Sequence, residues 1–177
     1  MRGVYGSAIP GLKVETWGTR RMSDIAFLDD LKTLAGELLE KEKKFLLDEK
    51  DEYVAAVVVV ITPKERYWEE AEFNDEEEKV AAYAKIVRHA KENGATALIT
   101  VNSSYVKSVT GSDELANYRW GDLRESGSQR AITVTISGPG IESCGMSLPY
   151  AFEDGSVVFG EPTEFEPAII DLAPDWP

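Results

Sequence analysis

One histidine, His89, and one cysteine, Cys144, are the only imidazole and the only thiol in the 177-residue chain. General acid–base work near neutral pH falls most often to a histidine, and a cysteine or serine nucleophile needs a base beside it. His89 follows Val80 by nine positions in a stretch with helical spacing. It therefore lies half a turn from the apolar side and is expected at the surface. Cys144 comes just after the Gly138-Pro139-Gly140 break and is expected as a small packing residue. A single imidazole and a single thiol cannot build a zinc site of the Cys/His type within one chain. The sequence also lacks a P-loop, a dinucleotide fingerprint and a nucleophile elbow. The expected catalytic and metal sets are therefore empty, no cofactor is implied, and an enzyme is the less favoured class.

The densest group of neutral hydrogen-bonding side chains is Asn102, Ser103, Ser104 and Tyr105, with Lys107 two residues on. It directly follows an aliphatic stretch. Lys64, Arg66, Tyr67 and Trp68 follow another. In open α/β sheets, ligands sit outside the carboxyl ends of parallel strands. If both stretches are parallel strands, Asn102, Ser103, Ser104, Tyr105, Lys107, Lys64, Arg66 and Trp68 converge on one pocket, with residues 109–128 as its lid. The competing reading makes Asn102, Ser103 and Ser104 an Asx- or Ser-type turn.

Carboxylates form a second group. Glu69, Glu70, Glu72, Asp75, Glu76, Glu77 and Glu78 place seven acids in ten residues. The plain reading is favourable interaction with a helix N-terminus, plus solubility. The sharper one is an acidic docking face for a basic partner. The net charge is −13, and the last 47 residues carry −8 of it with no lysine or arginine. Such a chain repels phosphate backbones, so direct nucleic-acid binding is not expected. Asp113, Glu114, Asp122 and Glu125 could offer oxygen ligands, but their spacing is not that of a calcium loop. Lys107, Arg119, Arg124 and Arg130 balance them, which suits a solvated loop.

These groups must be positioned by the surrounding elements. Ile25, Leu28, Leu31, Leu34, Ala35, Leu38 and Leu39 recur at helical spacing, which predicts a helix from Ser23 or Asp24 to about Leu47. Glu37–Lys41 and Glu40–Lys44 are spaced as i,i+4 pairs on its outer side. Residues 53–62 (YVAAVVVVIT) are β-branched and charge-free, which predicts a strand buried on both faces. Asn74 and Glu77 resemble a capping box. They open a helix over residues 75–93 with Val80, Tyr83, Ala84, Val87 and Ala90 along one side. Residues 95–101 (ATALITV) read as the next strand. Strand, helix, strand suggests a parallel βαβ unit. Residues 102–130 read as a long polar loop. Residues 131–137 (AITVTIS) alternate with period two, and residues 146–152 and 156–159 flank the turn Glu153-Asp154-Gly155.

The expected fold is α/β, bordering on α+β. It is a mixed sheet of about five strands with a parallel βαβ centre, an antiparallel C-terminal meander and two main helices. Residues 1–22 are expected as an irregular arm, 23–160 as one domain, and 161–177 as a Pro-rich acidic tail packed on it. No stretch approaches the roughly 20 apolar residues of a membrane span. Residues 1–21 lack the apolar segment of a leader, so a cytoplasmic location and no membrane contact are expected. Four tryptophans suggest contact surfaces. The function that follows is a non-catalytic cytosolic binding or regulatory protein acting through protein–protein contacts on an acidic surface. Two alternatives stand beside it: an acidic nucleic-acid mimic that inhibits a nucleic-acid-binding protein, and a small-molecule hydrolase or transferase at the strand ends. Ligand identity and oligomeric state are open.

Overall fold

β-Branched residues favour extended backbone, and in this chain they gather where the central strands form. The computed structural model describes residues 24–49, 54–106 and 128–165. In chain order these residues build α1 (Asp24–Glu49), β1 (Val57–Ile61), β2 (Arg66–Glu70), α2 (Glu76–Glu92), β3 (Ala97–Val106), β4 (Gln129–Gly138), β5 (Ile141–Glu153), β6 (Ser156–Phe159) and β7 (Thr163–Phe165). Segments of the expected N-terminal arm, of the expected lid and of the tail beyond residue 165 lie outside the described residues.

The expected mixed sheet with a parallel centre is overturned. The strands form one seven-stranded sheet in the order β2-β1-β3-β4-β5-β6, with β7 also on β5, and every pairing is antiparallel. The cause is β2. Residues 64–73 carry no strand signal in the sequence, because RYWEE has three charges and no aliphatic alternation. Pro63 does end β1, but the chain turns back at once. The Thr62 hydroxyl accepts hydrogen bonds from the Lys64 and Glu65 amides, at 3.3 and 3.0 Å, and closes a hairpin. Helix α2 therefore leaves from β2, not β1. It carries the chain across β1, and β3 enters on the far side, antiparallel to β1.

The helices lie on opposite faces. α1 packs on β3, β4, β5 and β6. Its buried stripe, Leu31, Ala35, Leu38, Leu39 and Leu46, meets Val59, Ile99, Val101, Ile132, Val134, Ile136, Leu148 and Tyr150. α2 lies on the other face, where Tyr83, Ile86, Val87 and Ala90 meet Val58, Val60 and Leu98. Ile86 replaces Val80 and Ala84 in the expected stripe, and both of those are exposed. Asp75, not Asn74, caps α2. It accepts from the Glu78 amide at 2.8 Å, and Glu78 reaches back to the Asn74 amide at 2.8 Å. The box is the expected motif displaced by one residue.

On α1, Lys43 meets Glu40 at 3.4 Å. The expected partner of Glu37 behaves differently: Lys41 Nζ is buried without a hydrogen-bond partner. Burial lowers the Lys41 pKa and raises that of Glu42, and each charge partly offsets the effect on the other.

Two turns complete the meander. Asp154 and Gly155, both at positive φ, join β5 to β6 as a two-residue hairpin. Between β4 and β5, Gly138 passes so close to the start of β3 that a Cβ there would lie 2.9 Å from the Thr96 carbonyl oxygen. Only glycine fits that approach without a shift.

Candidate functional site

The antiparallel register disperses the pocket expected from the sequence. Ile61 pairs with Ala97, and Val57 pairs with Val101. Lys64 and Arg66 therefore lie at the end of the sheet where β3 begins. Asn102 lies at the other end, five residues up β3, or roughly 17 Å away. Asn102, Ser103, Ser104 and Tyr105 are not a turn; they continue β3. Because strand side chains alternate between faces, they also part from one another.

Ser103 and Tyr105 share the face of α1. The Ser103 hydroxyl accepts from the Val54 amide at 2.6 Å and from the Tyr150 hydroxyl at 3.2 Å. The Tyr105 hydroxyl accepts from Arg130 Nε at 3.2 Å, with the guanidinium 5.9 Å from the ring centre. Trp68, expected at the pocket beyond a strand end, stands in β2 and packs against the core under α1. Lys64 is exposed in the hairpin, and Arg66 Nε is buried without a hydrogen-bond partner. Lys107, Trp120, Trp176 and the four acids Asp113, Glu114, Asp122 and Glu125 lie outside the described residues.

Asn102 and Ser104 point to the opposite face, and there a different group comes together. The register aligns Thr100 with Thr135 and Gly145, Asn102 with Thr133 and Ser147, and Leu98 with Ser137. Ser137 and Ser143 follow the pair Ile136–Cys144 at a bulge, and Ser143 alternates with the core residue Cys144. The Ser104 and Thr133 hydroxyls bond each other at 2.5 Å, and Asn102 Nδ2 donates to the Tyr83 hydroxyl of α2 at 3.4 Å. Burial pushes the Tyr83 phenol pKa up, and the Asn102 bond partly opposes this. Thr100, Ser137, Ser143 and Ser147 are buried, and none of their hydroxyls has a hydrogen-bond partner. The sequence reading missed this group, although the period-two pattern of AITVTIS already assigned Thr133, Thr135 and Ser137 to one face.

The acidic run forms the other candidate. Glu69 and Glu70 stand on β2, the terminal strand of the sheet, and Asp75, Glu76, Glu77 and Glu78 start α2. Several have structural tasks. Asp75 and Glu78 cap α2. Glu69 Oε1 lies 2.7 Å from Nδ1 of His89, which ties β2 to α2. His89 is 54% exposed at that pair. Tyr67 lies beside it, with ring centres 6.3 Å apart, and burial raises the Tyr67 pKa. Glu70, Glu72 and Glu77 are exposed. The imidazole–carboxylate pair left no sequence signal, because its members are 20 residues apart and meet only through the sheet. Cys144 is buried in the core under α1.

Among the described residues, no three His, Cys, Asp or Glu side chains are grouped to hold a metal ion. No described helix is long and apolar enough to cross a membrane. Comparison with protein-family models, curated proteins and solved structures found no match.

Proposed function

We propose that this chain is a non-catalytic binding or regulatory protein of the cytoplasm, working through protein–protein contacts at the acidic edge formed by β2 and the start of α2. The observation that supports this most directly is the position of β2. It ends the sheet, and among the described strands it is paired on one side only. A free strand edge offers unpaired backbone donors and acceptors, which an extended segment of a partner can complete. Glu70 on that strand, with Glu72 and Glu77 just beyond, selects the partner. Acidic side chains repel a second copy of this acidic chain and favour a basic segment.

The mimicry reading has less support. The exposed acids of the C-terminal half, among them Glu153, Asp154 and Glu161, sit by β5 and β6. Five strand spacings separate β6 from β2, roughly 24 Å, so these acids lie well apart from those of residues 69–78. The enzyme reading rested on two parallel strands sharing a carboxyl end, and that premise is overturned.

The test uses a lysine–valine alternating peptide as probe, with a glutamate–valine peptide as control. The basic peptide is expected to bind, more weakly as salt rises, because exposed charges act over a Debye length of roughly 8–10 Å. The triple variant Glu70→Lys, Glu72→Lys, Glu77→Lys is expected to slow association severalfold and change dissociation less. Glu69 is left intact because it pairs with His89. Equal binding by the triple variant at low and high salt would overturn the proposal.

A further inference from the structure

His89 is the only histidine of the chain, and it is bonded to the terminal strand of the sheet. Its Nδ1 lies 2.7 Å from Oε1 of Glu69 on β2. A carboxylate only accepts, so Nδ1 carries the proton of that bond. The second ring nitrogen, Nε2, is where a further proton is gained or lost. The His89 side chain is 54% exposed, so that proton exchanges with solvent while the bond to Glu69 stays in place.

Imidazole ordinarily changes charge between about pH 5 and pH 8, whereas carboxylates do so near pH 4 and phenols near pH 10. The surroundings of His89 keep to that division. β2 presents Glu69 and Tyr67, the latter ring 6.3 Å away. Burial raises the Tyr67 pKa, which takes its phenol further from neutrality. β1 presents Val58 and Val60 opposite these two residues. The hairpin brings Glu65. On α2 the charged neighbours within a turn are Lys85, Arg88 and Glu92, all exposed. Asn93 Nδ2 donates to the His89 carbonyl at 2.9 Å and to the Tyr67 hydroxyl at 3.5 Å. Glu42, a carboxyl whose pKa burial raises, belongs to α1 on the opposite face.

Taking the β2 edge as the docking site, we propose that the proton on His89 Nε2 sets how strongly that edge attracts a basic segment. With the proton bound, His89 and Glu69 cancel each other's charge, and Glu70, Glu72 and Glu77 act alone. Without it, Glu69 adds its charge to theirs. A strand docked on β2 lies about 4.8 Å away, well inside a Debye length. One exposed charge at that range is worth about a threefold change in affinity. Rising pH therefore strengthens docking, and falling pH loosens it.

The test titrates the full chain with the lysine–valine peptide from about pH 5 to about pH 8 at fixed low salt. The peptide is acetylated and amidated so that its ends do not titrate. Its affinity is expected to rise about threefold across that range, in step with the NMR signal of the His89 ring. His89→Asn keeps a donor where Nδ1 stands but cannot become charged, so it should bind at the tighter level at every pH. His89→Lys is charged throughout and should bind at the weaker level at every pH. If either variant folds poorly, the match between ring signal and affinity in the unaltered chain decides. Affinity that does not change with pH, or that changes equally in His89→Asn, overturns the His89 proposal and leaves the edge reading standing. No peptide binding at any pH overturns both.

Discussion

The two faces of β3, β4 and β5 are made of alternate residues of the same strands, yet they solve opposite problems. Under α1, Ile99, Val101, Ile132, Val134, Ile136 and Leu148 are buried apolar side chains. The hydroxyls of Ser103, Tyr105 and Tyr150 also lie on that face: Ser103 accepts from Tyr150 and from the Val54 amide, and Tyr105 accepts from Arg130. On the other face Thr100, Ser137, Ser143 and Ser147 are buried, and their hydroxyls have no partner. Burial alone does not distinguish the two sets of hydroxyls; their hydrogen-bond inventory does. Both faces are covered by the chain, but only the first meets its donors and acceptors.

The largest expected difference between the faces is in packing. Ile132 is fully buried under α1. Ile132→Ala removes apolar contacts and leaves a cavity, and should cost about 2–5 kcal/mol. Chemical denaturation would measure this, and a cost below about 1 kcal/mol would mean that the α1 face is not the core.

A matched pair of serine-to-alanine changes sharpens the comparison. Ser103→Ala strands the Val54 amide and should destabilise by about 1–3 kcal/mol. Ser137→Ala makes the same chemical change on the other face, but it deletes an orphaned hydroxyl. It should leave stability unchanged or raise it, because no partner is stranded. Equal losses at both positions would erase the contrast between the faces.

The smallest effect is in alkaline solution. Burial raises the Tyr83 pKa above its ordinary value of 10.0. The folded state therefore holds the phenol proton more tightly than the unfolded state. The stability this contributes is fully present below pH 10 or so and is lost as pH rises through the folded pKa. Tyr83→Phe removes the titrating group, so its denaturation midpoint should decline less between neutral and strongly alkaline pH. Tyr67, also raised by burial, still titrates in that variant and contributes to the remaining slope. Parallel declines with and without Tyr83 would show that its phenol does not distinguish the folded state.

Local sequence determined much of the element list. The aliphatic run before Pro63, the leucine stripe of α1 and the Asp154-Gly155 turn each act within a few residues, so each was legible; the capping box of α2 was legible one residue out of place, as Asn74 and Glu77 where Asp75 and Glu78 act. The candidate sites were legible only in part. Asn102 and Ser104 belong to the hydroxyl face, but Ser103 and Tyr105 were grouped with them although strand alternation sends them to the other side. The acids of residues 69–78 were visible as charge, whereas the tie between Glu69 and His89 was not.

Strand direction, sheet order and edge position were decided by tertiary structure alone. Antiparallel and parallel neighbours can be built from the same aliphatic residues, because what separates them is where the chain turns between strands. β2 shows why the turn was missed. An edge strand packs on one side and meets solvent on the other, so RYWEE needs no aliphatic alternation to be held beside Val57–Ile61. Its pairing comes from backbone hydrogen bonds to a strand already buried. Once β2 exists, α2 must start from it, β3 must enter antiparallel to β1, and the polar ends of β1 and β3 must point to opposite ends of the sheet. The sequence holds every residue of that outcome, but the hydrogen bonds that choose it join residues that are neighbours only after folding.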